Sequence, residues 1–144
     1  MLNMNDAGMF VTVLYGILDH ITNTFEYVRA GHELPVILDP AHMPWLPPLG
    51  NGQPLGVLDT PALDKQTVVI PPNGALLLYT DGVTEAMNEW GAFFGREQLM
   101  TMLSNGDIST ARNVCERVLE AVLAHQGAEL QYDDVTLVAI HTSA

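Results

Sequence analysis

Basic side chains are scarce: 5 Lys and Arg stand against 17 Asp and Glu, a formal net charge of −12 over 144 residues. Such a surface repels phosphate backbones and anionic lipid, which argues against nucleic acid and membrane surfaces as partners. Cysteine is nearly absent. The single Cys115 has no internal partner for a disulfide, and nothing points to an oxidising compartment. The 3 serines include none in a Gly-x-Ser-x-Gly setting, and no His-Glu-x-x-His helix or Cys-x-x-Cys pair occurs, so the usual nucleophile and zinc signatures are missing. The uncharged run Met9–Leu18 near the amino terminus is far shorter than the roughly 20 residues that span a bilayer. No repeat or low-complexity stretch appears. A soluble, cytoplasmic, bacterial-type domain is expected.

What the chain does hold is apolar material, 48% of its residues, enough for one domain with a core of its own. Phe10–Leu18 is rich in β-branched and aromatic residues, and the polar turn Asp19–Asn23 leads into Thr24–Ala30 as a hairpin partner. Phe25 and Tyr27 alternate there with Glu26 and Val28, as in a strand with one packed face. Gly31-His32 breaks it, and Leu34–Leu38 resumes a short strand. Six of the 9 prolines, with Gly50, Gly52 and Gly56, crowd 40–61; this predicts a long irregular connection, pinned by Trp45. Pro71-Pro72-Asn73-Gly74 is a turn signal between Thr67–Ile70 and Ala75–Tyr79, which predicts a second hairpin. Helices are expected near Glu97–Leu103 and over Ser109–Gln126. In the second, Ala111, Val114, Cys115, Val118, Leu119, Val122 and Leu123 form a core stripe that Gly127 stops. A last strand covers Val135–Ile140. Hairpins with helices packed outside them make an α+β sandwich.

Two acidic motifs stand where strands meet loops. Leu76-Leu77-Leu78-Tyr79-Thr80-Asp81-Gly82 ends an apolar run in a carboxylate, with Glu85 four positions on, and Asp133-Asp134 precedes the final strand. Mg²⁺ and Mn²⁺ prefer oxygen ligands, and Mg²⁺ often keeps several waters beside one or two carboxylates. Asp81 and Asp133 are ligands of that kind. Each motif alone has an ordinary reading, since Asp-Gly is a common turn and Asp-Asp a common polar strand entry. Gly31-His32 offers an imidazole, although a lone histidine after a strand is more often structural. The sequence also leaves open an Asp81/Glu85 or Asp81/Asp133 acid pair of the glycosidase kind, which is defined by spacing in three dimensions. No aromatic sugar platform accompanies it.

Taken in order, Met9-Phe10-Val11-Thr12, Ala30-Gly31-His32-Glu33-Leu34-Pro35, Gly52-Gln53-Pro54-Leu55-Gly56-Val57, Leu78-Tyr79-Thr80-Asp81-Gly82-Val83-Thr84-Glu85-Ala86, Phe94-Gly95 and Asp133-Asp134-Val135-Thr136-Leu137 resemble the bacterial PP2C-like metal-dependent serine/threonine phosphatases of the SpoIIE and RsbU branch. The resemblance implies a sandwich of antiparallel β-sheets flanked by α-helices with a centre of two Mn²⁺ or Mg²⁺ ions, whose bridging water attacks phosphoserine or phosphothreonine. It assigns Asp81 and Asp133 as metal ligands. Glu85, His32, Gly82 and Asp134 fall beside that set, with Asp134 expected to order its turn through its side chain. The implied partner is a phosphorylated STAS-type regulatory protein, an anti-sigma-factor antagonist.

Family domains open with a Gly-Gly-Asp-Tyr-Tyr-Asp-like strand and an Asp-x-Ser-Gly-His-Gly-like turn, and neither is in this chain. Met1–Asp6 resembles the segment just ahead of the Phe-Val-Thr strand, so residues 1–144 are expected to be the C-terminal portion of a single phosphatase domain. Two functions follow: a phosphatase portion with half its ligands, or a catalytically inactive binding module in partner-switching signalling. Sheet edges left exposed predict a homo-oligomer for the first.

Overall fold

The computed structural model of the chain describes residues 8–128 and 133–143; the Met1–Asp6 segment lies outside the described residues. In chain order the elements are β1 (Val13–Asp19), β2 (Thr24–Ala30), β3 (Val36–Leu38), β4 (Lys65–Val69), β5 (Ala75–Tyr79), α1 (Asp81–Thr84), α2 (Gly95–Ser104), α3 (Ala111–Gln126) and β6 (Leu137–His141). They fall into two compact units, Met1–Leu34 with Pro48–Val69, and Pro35–Pro47 with Ile70–Ala144. The α+β class expected from the sequence holds.

The first unit is an antiparallel sheet in the order β1-β2-β4. Its first turn forms because Asp19 Oδ1 accepts N–H bonds from Ile21 at 2.9 Å and Thr22 at 3.4 Å. Asn23 then closes the turn at φ 53°, a left-handed conformation that Asn tolerates better than most residues. The alternation in β2 has its packing counterpart: Phe25 and Tyr27 are buried and stack at 5.6 Å, while Glu26 faces out and meets Lys65 at 3.2 Å. Gly16 lies under the Phe25 ring, where a Cβ would collide with it. The stretch 48–64 is irregular, as its prolines require. Asp64 Oδ2 accepts from the Asn51 N–H at 2.8 Å, and Arg29 donates to the carbonyls of His32 at 3.0 Å and Gly50 at 3.3 Å.

The second unit is an antiparallel sheet in the order β3-β5-β6, with β5 in the middle. Ala75, Leu77 and Tyr79 of β5 join Val83, Leu99, Leu103, Val114, Val118 and Val122 in one buried cluster. Of the stripe read from the sequence, Val114, Val118 and Val122 are buried on the face α3 turns to the core and Ala111 and Cys115 are half-buried, whereas Leu119 and Leu123, expected in the core, are 42% and 54% exposed. Thr110 caps α3 by accepting the Asn113 N–H at 3.0 Å, and Gly127 ends it at φ 62°. Cys115 sits half-buried on α3, and burial pushes its thiol pKa up, which suits a packing residue and not a nucleophile. Trp45 does pin its loop, through main-chain bonds to Ile37 of 2.9 and 3.1 Å; its side chain is 40% exposed.

One expected element is corrected. Thr67–Ile70 and Ala75–Tyr79 are not a hairpin: β4 pairs with β2, and β5 pairs with β3 and β6. The Pro71–Gly74 turn reverses the chain but hands it from one sheet to the other. Its own bonds run to the second unit, where the Thr142 hydroxyl donates to Pro71 O at 2.5 Å and the Thr142 N–H to Gly74 O at 3.0 Å. Turn residues specify a reversal, whereas side-chain burial chooses the strand partner. Among the described residues no helix is long and apolar enough to cross a membrane.

Candidate metal centre

The strand β5 runs from Ala75 to Tyr79 through the core of the second unit, and Thr80 carries the chain out of it. Asp81 then opens the one-turn helix α1, where an Asp-Gly turn was expected. The turn winds because the Asp81 carbonyl accepts the Glu85 N–H at 2.8 Å and the Thr84 hydroxyl at 3.3 Å. These bonds use the main chain of Asp81 and leave its exposed carboxylate out of the helix.

Two residues bring the second acidic motif to the first. Thr80 donates its hydroxyl to the Asp134 carbonyl at 3.0 Å and accepts the Thr136 N–H at 3.0 Å, while its own N–H reaches the Thr136 carbonyl at 3.2 Å. Gly82 is buried directly against Asp134. A Cβ at that position would run into the Asp134 carbonyl oxygen and stand 3.0 Å from the carbonyl carbon. Glycine is needed here for close backbone approach, not for an unusual φ. Asp133 is oriented in turn by its neighbour, with its Oδ1 accepting the Asp134 N–H at 2.7 Å. Asp134 takes part in this turn through its main chain, its N–H donating to Asp133 and its carbonyl accepting from Thr80.

The other two residues singled out by sequence belong to different units. Glu85 ends α1 one turn past Asp81 and is exposed. His32 belongs to the first unit, where its Nδ1 lies 3.2 Å from the Glu33 carbonyl oxygen. Thr80 was not among the sequence-derived site residues. The available signal was a hydroxyl residue at a strand end, a position from which it can bond neighbouring main chain.

Asp81 and Asp133 are exposed residues on chain segments held together by the Thr80 hydroxyl and by main-chain contacts, and carboxylate oxygen donors suit a hard divalent cation. The number of donors is smaller than a full protein cage requires. Among the described residues no group of three or more His, Cys, Asp or Glu is placed to hold a metal ion. The donor set therefore fits an ion that keeps much of its water, the habit of Mg²⁺.

Since Gly82 leaves no room for a side chain, Gly82→Ala is expected to force the two segments apart and destabilise the chain by about 1–3 kcal/mol, the usual cost of overpacking. Urea unfolding would show a lower midpoint at unchanged slope. An unaltered midpoint would mean that the Asp134 main chain does not lie against Gly82.

The family model described as Stage II sporulation protein E (SpoIIE) matches residues 1–143. Protein IcfG of Synechocystis sp. (strain ATCC 27184 / PCC 6803 / Kazusa) is 29% identical over 136 residues, 94% of this chain and 21% of that protein. The phosphoserine phosphatase RsbU of Bacillus subtilis (strain 168) is 26% identical over 135 residues, 94% of this chain and 40% of that protein. Among solved structures, the phosphatase domain of SpoIIE from Bacillus subtilis with a manganese presoak matches at TM-score 0.72 and 11% identity, over 92% of this chain and 56% of that one. A longer structure of SpoIIE, described as its PP2C phosphatase domain with a fragment of the regulatory domain, matches at TM-score 0.75 and 13% identity, over 92% and 38%. The chain thus has the fold of PP2C phosphatase domains and spans only part of the length of each relative.

Proposed function

The chain belongs to the SpoIIE family, and on that premise we propose that it is the C-terminal portion of a PP2C-type phosphatase domain that removes phosphate from phosphoserine or phosphothreonine on a regulatory protein. The observation that carries this reading is the joining of Asp81 to the Asp133-Asp134 segment through Thr80 and Gly82. Asp81 and Asp133 would hold Mn²⁺ or Mg²⁺. A bound ion of this kind supplies a water of lowered pKa and neutralises charge on the phosphoryl oxygens.

The residues of the chain do the positioning. A strand fixed in the core presents Asp81, and the N–H of Asp134 orients Asp133. Without a cation these carboxylates, with Glu85 and Asp134 beside them, would repel a phosphoryl group. The reading therefore demands strict metal dependence. The partner it favours is a phosphorylated STAS-type protein in the cytoplasm, as for the family resemblance.

Phosphate release from a phosphoserine peptide, measured for this chain with Mn²⁺ and then with excess chelator, tests the proposal. Release that stops on chelation is expected, and release indifferent to chelation would overturn it. The same reading takes the outer edge of β1, which among the described residues has only β2 as its strand neighbour, as a surface for self-association. Light scattering is expected to give a dimer or larger species, and a strict monomer would count against that surface.

A further inference from the structure

Trp90 and Phe93 are 80% and 59% exposed, yet the loop that carries them is tightly built. Ala86 and Phe94 close its base, with the Phe94 N–H donating to Ala86 O at 2.8 Å and the Phe94 ring buried to 2% exposure. Above the base, Met87 bridges Phe93 and the Asn88 N–H donates to Ala92 O at 3.0 Å. Asn88 Oδ1 also accepts the N–H groups of Trp90 at 3.1 Å and Ala92 at 2.9 Å. Gly91 takes φ 74°, completing the three-residue turn Glu89-Trp90-Gly91. His125 of α3 holds the outer strand, with Nε2 2.9 Å from Ala92 O and its ring edge-on to Phe94 at 5.5 Å.

Single exposed apolar residues are ordinary. A tryptophan and a phenylalanine carried on a braced turn are different, because the backbone that presents them is already ordered before anything binds. Rigid aromatic anchors of this kind dominate binding energy at protein interfaces. The turn also follows α1 directly. Taking about 1.5 Å per helical residue and 3.3 Å per extended one, Trp90 stands no more than about 23 Å from Asp81, a distance spanned by about seven residues of extended peptide.

From these observations we infer that Trp90 and Phe93 form a docking patch for the protein substrate, gripping a bulky apolar side chain within about seven residues of its phosphorylated residue. The inference rests on the phosphatase reading for its position relative to the phosphate. Charge narrows the occupant further. Glu85 precedes the loop and Glu89 lies in its turn, on a chain of net charge −12, so the segment that seats there carries a Lys or Arg beside its apolar residue and not an acidic run.

Two phosphoserine peptides test it, one with Leu and Lys four and five positions from the phosphoserine, the other with Gly and Ser in their place. With Mn²⁺, the Leu-Lys peptide is expected to have about tenfold lower KM. W90A with F93A is expected to erase that difference without changing kcat or the turnover of p-nitrophenyl phosphate, which is too small to reach the loop. Equal KM for the two peptides, or a difference that survives the double variant, would overturn the docking patch while leaving the phosphatase reading intact. If no substrate turns over, that reading fails, and the patch is judged by binding alone. Trp45 and Trp90 are the 2 tryptophans of the chain, so W45F isolates the emission of Trp90. A blue shift on adding the Leu-Lys peptide retains the patch, and an unmoved spectrum rejects it.

Discussion

Asp81→Asn is expected to lower Mn²⁺-dependent phosphate release by about 100-fold or more, beyond the 10–100-fold that loss of a residue supporting a metal ligand typically costs. The substitution preserves shape and removes a charge. The bonds that wind α1 use the Asp81 carbonyl, and the carboxylate is exposed, so the fold does not depend on the group removed. Urea unfolding in chelator should then differ from the parent by less than about 0.5 kcal/mol, as for other surface changes. Addition of Mn²⁺ separates the two proteins. A ligand at 100 times its Kd stabilises the folded state by about 2.7 kcal/mol, and the Asn variant should lose most of that gain. Equal stabilisation of both proteins by Mn²⁺, or turnover that survives the substitution, would remove Asp81 from the ligand set.

Leu77→Ala should be the most damaging single truncation in the second unit, with a loss of about 2–5 kcal/mol, as for other buried leucines. Leu77 lies mid-strand in β5, between Val36 of β3 and Ala139 of β6, with no exposed surface and in the same cluster as Leu99, Val114 and Val118. Neither neighbouring strand can move in to fill the space without breaking its ladder. Against a total stability of about 5–15 kcal/mol, a loss near the top of that range leaves the chain partly unfolded at room temperature. Val138→Ala on β6, a residue 48% exposed, is the matched control and should cost about 1 kcal/mol or less. Similar losses at both sites would mean that the α2 and α3 faces are not packed on Leu77. Because β5 also delivers Asp81, Leu77→Ala should weaken Mn²⁺ binding as well, a coupling that Val138→Ala lacks.

Local pattern carried much of the fold. The alternation of Phe25 and Tyr27 with Glu26, the buried Val114, Val118 and Val122 of α3 and its Gly127 stop each followed from a period or a backbone preference that neighbours along the chain express by themselves. Boundaries slipped by a few residues, as for β1, expected from Phe10 and observed from Val13, because strand ends are set by where a partner stops. The hairpin across Pro71–Gly74 failed for a larger reason: nothing in a turn says whether the strands beside it pair with each other or with strands elsewhere.

The sequence by itself determined which side chains stand at the strand ends, where two carboxylate motifs offer oxygen donors. Its ordered motifs also determined the family. Only the tertiary structure decided that Asp81 and the Asp133-Asp134 segment meet, and that the meeting depends on Thr80 and on the absent side chain of Gly82. It also decided that Trp90 stands exposed on a braced turn while Phe94, four residues on, is buried. Residue type is a property of one position, but proximity and exposure belong to the packing of segments far apart in the chain.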